Sequence, residues 1–258
     1  KQLEKQKKIW NEFQRNFLDY LYDQKHCFDN YVGAMIKRIK SVLNWIENEK
    51  GIGTLPYRLL FVAPKAEKIP IIILNQKRLQ YIFYSEEFKR DLPDSLEAIY
   101  KILLVGSFVA LRYSDLRLLK RPNLEITQAG TYLRMTSLKT QTETRVLLPD
   151  FVGELLQKQD KRQKYLLPQM SLAHFNKGLK ELGKFADWAE DSPKVRFKRG
   201  EMVTVYKNPN TRRHFKFYEH LSWCLVYPDV CQWSSQLYGM NISIFRHSFC
   251  ATLVENID

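Results

Sequence analysis

Three cationic side chains, Arg112, Lys139 and Arg246, stand far apart in the sequence, each inside its own apolar frame. Arg112 lies in Ala110-Leu111-Arg112-Tyr113-Ser114-Asp115-Leu116. Lys139 sits in Leu138-Lys139-Thr140, ahead of the run Val146-Leu147-Leu148-Pro149. Arg246 lies in Phe245-Arg246-His247-Ser248-Phe249. A guanidinium is planar, always charged and bonds two oxygens at once. Two of them suit one phosphate passing through a displacement, in which negative charge builds on the non-bridging oxygens. One donor placed where charge develops contributes about 3 kcal/mol. A nearby lysine protonates the leaving oxygen as a general acid. Two arginines and a lysine can thus take over work that other phosphoryl-transfer enzymes give to metal ions. Taken singly, each has a plainer reading. Arg112 is a helix-end arginine favoured by the macrodipole, Lys139 a solvated turn lysine, and Arg246 a surface arginine.

The elements that must position these residues are legible in outline. Lys1 to about Gly51 has helical periodicity. Trp10, Phe13, Phe17, Tyr20 and Leu21 share one face, and Met35, Ile36, Ile39, Val42, Leu43 and Ile46 form a second stripe. Gly51 and Gly53 close it. Leu55 to Pro70, with Pro56, Pro64 and Pro70, reads as a linker. Ile71-Ile72-Ile73-Leu74 reads as a short strand, and Asn75 as the cap of a helix. A buried helix from Ser95 should end near Arg112, with Asp115 to Leu119 starting another turn. Strands are expected over 124–127, 132–137 and 144–148, with Lys139 at the second turn. A helix is expected over 172–188, a hairpin over 194–217 turning at Arg199-Gly200, and a last helix over 244–254 that carries Arg246. The predicted class is α+β. A helical domain spans 1–68, and a mainly helical domain with a small antiparallel sheet spans 69–258.

The chain has 258 residues and a net charge of +13. That charge favours a polyanionic partner. No apolar run reaches the ~18 residues that span a bilayer, and the basic residues are spread along the chain instead of gathered on one amphipathic helix. Nucleic acid is the better partner. Candidate contacts are Lys37, Arg38 and Lys40, interleaved with the second stripe. The run Lys194, Arg196, Lys198, Arg199, Lys207, Arg212 and Arg213 opposes a single acid, Glu201, and suits the tracking of a phosphate backbone; its plainer reading is a solvated hairpin. Cys27, Cys224, Cys231 and Cys250 form no Cys-x-x-Cys pair and, with five histidines, no zinc pattern. They read as reduced structural thiols of a cytoplasmic protein. No metal site and no cofactor are expected.

The three frames together resemble the tyrosine recombinase (phage integrase) family. That family's first box reads Gly-Leu-Arg, two residues, an acid and Leu, and residues 110–116 match it with Asp115 as the acid. Its lysine precedes a threonine in a β-hairpin, before an apolar run ending in proline, as Lys139-Thr140 and Arg145 to Pro149 do. Its last box, His-x-Leu-Arg-His-Ser-Phe-Ala-Thr, is similar to residues 243–252. The resemblance implies a core-binding domain over 1–68 and a catalytic domain over 69–258, closing around duplex DNA. It implies a tetramer on two DNA sites in the cytoplasm of a bacterial or mobile-element host, associated with the nucleoid. The implied reaction is strand exchange through a 3′-phosphotyrosine, as in DNA integration. Arg112 and Arg246 would hold the phosphorane, with Lys139 as general acid. His247 would match the histidine that follows the arginine.

Two departures stand out. Ser243 occupies the family's histidine position, and a serine cannot do a histidine's acid–base work near neutral pH. His220, just upstream, is a candidate to compensate. All 14 tyrosines precede Arg246, so the expected nucleophile is absent from the chain and the catalytic domain reads as truncated before the tyrosine box. The alternatives are a degenerate relative that binds DNA without cutting it, or an unrelated basic nucleic-acid-binding protein.

Overall fold

A computed structural model describes residues 2–51, 56–69, 74–109 and 111–222. The chain divides into two compact units. One is Lys1–Pro70 with Pro193–His214; the other is Ile71–Ser192 with the described residues from Phe215 onward. The class is α+β, as expected. The first segment of the first unit runs to Pro70, and residues 193–214 return to it, whereas the expected cut at residue 68 leaves them in the other domain.

The first unit opens with α1 (Gln2–Asp19), a π-helical turn at Tyr20–Gln24, α2 (Asp29–Lys50) and the short α3 (Pro56–Leu60). Gly51 ends α2 in the left-handed conformation, with φ of 63°, and its N–H bonds Glu47 O. The core gathers Leu21, Tyr22, Val32, Ile36, Tyr57 and Phe61, with Trp10, Phe17, Met35, Ile39 and Leu43 packed against it. Residues 56–69, within the expected linker over 55–70, are therefore part of the folded unit. Pro56 sits in the first turn of α3, where its missing N–H costs nothing, and Tyr57 and Phe61 are fully buried. Beyond α3, the Asn30 side chain donates to Glu67 O and accepts from Glu67 N, strapping the segment along α2. The two apolar stripes hold only in part. Phe13, Tyr20 and Val42 remain exposed.

The second unit contributes α4 (Gln76–Tyr84), α5 (Glu86–Asp91), α6 (Asp94–Val109) and α7 (Tyr113–Leu116). It then forms β1 (Leu124–Thr127), β2 (Gly130–Thr136) and β3 (Glu143–Leu147), followed by α8 (Asp150–Gln157), α9 (Leu172–Phe185) and β4 (Asp191–Ser192). The first unit then resumes with β5 (Lys194–Lys198) and β6 (Glu201–Val205), before β7 (Phe215–Lys216) returns to pair antiparallel with β4. Asn75 caps α4 as expected, its side chain accepting from Arg78 N at 3.0 Å. The expected strand at 71–74 falls almost wholly outside the described residues, as does the helix at 244–254. The sequence reading omits α5 and α8.

Helix α6 is buried continuously from Ile102 to Val109 and on one face before that, at Leu96 and Ile99. Gly178 of α9 lets the two helices cross closely: a Cβ there would come within 2.4 Å of Ile99 Cδ1. The strands β1-β2-β3 form one antiparallel meander. Along β2, Thr131, Leu133 and Met135 turn inward at period two, and Ser137 continues that run one residue past the strand.

Because Tyr57 and Phe61 belong to the core, Phe61→Ala should destabilise the protein by about 3–5 kcal/mol. The same change at exposed Leu59 should cost under about 0.5 kcal/mol. Urea unfolding followed by tryptophan fluorescence checks both.

Candidate functional site

Helix α6 ends at Val109, and the chain then extends through Leu111 and Arg112. Arg112 begins α7 from extended backbone, φ −61° and ψ 149°, with its carbonyl accepting from Leu116 N at 2.8 Å. It is thus a helix-start residue, not the end of α6 as the periodicity suggests. One turn on, the Asp115 side chain is almost completely buried, at 1% exposure. A buried carboxylate needs donors, and the β2–β3 turn supplies them. Ser137 Oγ donates to Asp115 Oδ2 at 3.0 Å, and Leu138 N donates to Asp115 Oδ1 at 3.3 Å. Arg112 Nη1 in turn donates to Ser137 Oγ at 2.8 Å. Guanidinium, hydroxyl and carboxylate form one relay, which settles the Arg112 head beside the start of the turn that carries Lys139.

That turn is closed by its own backbone. Ser137 N bonds Thr142 O, and Gln141 N bonds Ser137 O, both at 2.9 Å, with Gln141 in the left-handed region. Lys139 lies between them, exposed. Behind the turn, Arg134 and Arg145 face each other directly across β2 and β3, a costly like-charge pairing. Glu125 offsets it, accepting from Arg145 Nε at 2.8 Å and bonding Arg134 Nη1 at 3.4 Å, while Glu143 pairs with Arg134. The Arg145 guanidinium also lies 3.7 Å from the Tyr132 ring centroid. Hydrogen bonding and charge from Arg145, then hydrogen bonding and charge from Arg134, hold the Glu125 carboxyl below its usual range.

On its other side α7 is fixed by Tyr113. Its ring stacks on Phe175 at 5.1 Å, and its hydroxyl donates to Met170 O at 3.1 Å. Burial pushes this phenol up from its ordinary value, so it stays a donor.

Arg112 is thus tied to the base of the turn that carries Lys139. Arg246, Ser243 and His247 lie outside the described residues. His220 is engaged locally: its Nε2 lies 3.1 Å from Ser192 O and its ring packs on Phe215. Ser137 escapes the sequence reading, although its place in the inward-facing alternation of β2 is a usable signal. Among the described residues no cluster of three or more His, Cys, Asp or Glu is placed to hold a metal ion, and no helix is long and apolar enough to cross a membrane. Cys27 is a free thiol, and the other three cysteines lie outside the described residues.

The basic residues of the first unit divide into two sorts. Lys37, Arg38, Lys207, Arg212 and Arg213 are exposed. Asn208 accepts from Asn210 N and Thr211 N and so shapes the loop that presents the last three. Lys40 Nζ donates to Arg58 O at 3.4 Å. Lys194 and Arg196 alternate along half-buried β5, with Arg196 Nη1 donating to Val195 O. Lys198 lies 4.0 Å from Asp23, and Arg199 bonds both Asp19 and Asp23 at 2.9 and 2.8 Å. Arg199 therefore has internal partners.

No protein-family model and no curated protein matches the sequence. Solved structures similar to the chain include the XerH site-specific recombinase bound to difH substrate in a pre-cleavage complex. It is 14% identical over 75% of this chain and 52% of that one, with a TM-score of 0.44. Another is the XerA recombinase, 11% identical over 96% of this chain and 86% of that one, with a TM-score of 0.37. Both are recombinases. This chain spans about half the length of the XerH chain.

Asp115→Ala should remove acceptors from Ser137 and Leu138 N and cost about 2–3 kcal/mol, read as a lower urea midpoint. The Glu125 carboxyl should titrate below a free glutamate by carboxyl NMR, and Arg145→Ala should move its midpoint up. A carboxyl whose pKa is lowered on folding stabilises the fold above the ordinary carboxylate range. That contribution fades as pH falls through the lowered value.

Proposed function

We propose that the chain is a tyrosine-recombinase-type protein that binds duplex DNA and holds one backbone phosphate against Arg112, with Lys139 and Arg246 completing the grip. The observation that carries this reading is the Arg112–Ser137–Asp115 relay. A guanidinium tethered through a buried carboxylate is pre-organised, so little reorganisation remains when charge develops on a phosphate. The same relay fixes the base of the turn bearing Lys139. The three sequence frames and the charge of +13 support the same partner. In the reaction proposed, a tyrosine hydroxyl attacks the phosphorus and the 5′-oxygen leaves. Arg112 and Arg246 stabilise the five-coordinate state, and Lys139 protonates the leaving oxygen. Strand exchange then follows when a second 5′-hydroxyl attacks the phosphotyrosine, in an assembly of four copies on two sites inside the cell.

A second reading, DNA binding without cleavage, is favoured by Ser243 at the position where acid–base chemistry calls for histidine.

A nicked suicide duplex separates the two. On the recombinase reading, the full-length native protein forms a covalent adduct, and Arg112→Ala lowers its rate by about 100–1,000-fold while duplex binding persists. Binding with no adduct from the native protein supports the second reading. An adduct that survives Arg112→Ala undiminished, or no duplex binding at low salt, overturns the proposed role of the site.

A further inference from the structure

The first unit holds a second buried carboxylate, which the proposed reaction does not use. Asp29, at the start of α2, is 1% exposed. Its Oδ1 accepts from Tyr22 Oη at 2.7 Å and from Arg199 N at 2.7 Å, and its Oδ2 accepts from Gly200 N at 2.8 Å. The last two donors are the central residues of the β5–β6 turn, whose flanking pair is Lys198 and Glu201. Arg199 has φ of 54° and Gly200 of 82°, the left-handed pair of a type I′ hairpin turn. Glycine takes that conformation freely; in arginine it costs about 1–2 kcal/mol. Both N–H groups of this turn point at one carboxylate, an anion-binding concavity filled from within the protein.

The Arg199 side chain adds to the anchor. It bonds Asp19 and Asp23, and its guanidinium lies 4.8 Å from the Tyr22 ring centroid. Burial and the Asp29 hydrogen bond raise the Tyr22 phenol far above its usual value, so it remains a donor. Two residues whose basic charge suggests DNA contact, Lys198 and Arg199, thus face acids of their own unit. Lys207, Arg212 and Arg213, on the loop that continues the hairpin, face solvent.

We infer that Asp29 is the positioning residue of the β5–β6 hairpin, and that through it the Arg212–Arg213 loop serves the first unit as part of its DNA-binding surface. This rests on the DNA-binding reading above. Arg199 is then a strut paired with Asp19 and Asp23 at the surface of the unit, and not a phosphate contact. The spacing of a strand and a turn set the hairpin's shape; the buried Asp29 carboxylate, helped by the pairing of Arg199 with Asp19 and Asp23, sets where it is seated. Asp29→Asn keeps the volume but turns one acceptor into a donor facing a donor, and Asp29→Ala removes both acceptors.

The test uses the full chain and two readouts. Hydrogen exchange follows residues 194–205, with 74–192 as the control for folding. Duplex affinity is measured across a salt series for the native protein, for Asp29→Ala, for Asp29→Asn and for the double variant Arg212→Ala/Arg213→Ala. Each lost phosphate contact lowers the slope of log affinity against log salt by about 0.9. The expected result is faster exchange in 194–205 for both Asp29 variants, with 74–192 unchanged. The slope for Asp29→Ala should fall by roughly the 1.8 expected for the double variant. Removing an acid would by itself strengthen DNA binding, so a shallower slope cannot come from the charge change. Unchanged exchange in 194–205 overturns the inference, and so does faster exchange with an undiminished slope. If the native protein binds no duplex, the DNA-binding reading falls and takes the DNA half of this inference with it, while the exchange result alone judges the anchoring.

Discussion

A carboxylate removed from water must be met by donors, or its burial costs more than folding can return. In the second unit that requirement falls on Asp115. Its two oxygens take the Ser137 hydroxyl and the Leu138 N–H, so α7 and the β2–β3 turn cannot move independently without stranding a buried charge. Arg112 extends the set through Ser137. The position of the guanidinium and the base of the lysine turn are thus settled by one buried group. The stacking of Tyr113 on Phe175 and the ionic ladder of Glu125, Arg134, Glu143 and Arg145 hold the flanks.

The first unit uses the same physics for a different end. Asp29 also accepts from a turn, but the turn comes from 170 residues further along the chain. Among the described residues, the result is a unit made of two chain segments. Its basic residues sort by partner: Lys198 and Arg199 pair with Asp19 and Asp23, and Arg212 and Arg213 are exposed on the 206–214 loop. Charge counting cannot make that distinction, since an arginine in a salt bridge and one awaiting a phosphate read alike.

Several elements are legible in the amino-acid sequence. Asn75 as a cap, the α6 run, the three strands and the Arg199-Gly200 turn follow from local rules of capping, periodicity and left-handed backbone. Where sequence and structure part, the cause is shared. Pro56, Pro64 and Pro70 suggest a linker, yet Pro56 starts a helix whose Tyr57 and Phe61 complete the core; their burial depends on α1 and α2, not on their neighbours in sequence. The apolar run that continues to Arg112 suggests that this residue ends α6, whereas the helix breaks after Val109 and Arg112 opens α7.

By itself the sequence determined the α+β class, the strongly basic charge and the presence of Arg112, Lys139 and Arg246 in suggestive frames. These are properties of composition and of spacings shorter than a helix or hairpin. Only the tertiary structure decided that Ser137 mediates between Arg112 and Asp115, that Arg199 pairs with Asp19 and Asp23, and that residues 193–214 return to the first unit. Each of these depends on hydrogen bonds between groups 22 to 180 residues apart. Such pairings are selected by the cost of leaving a buried charge unmatched, and that cost exists only once the chain has folded.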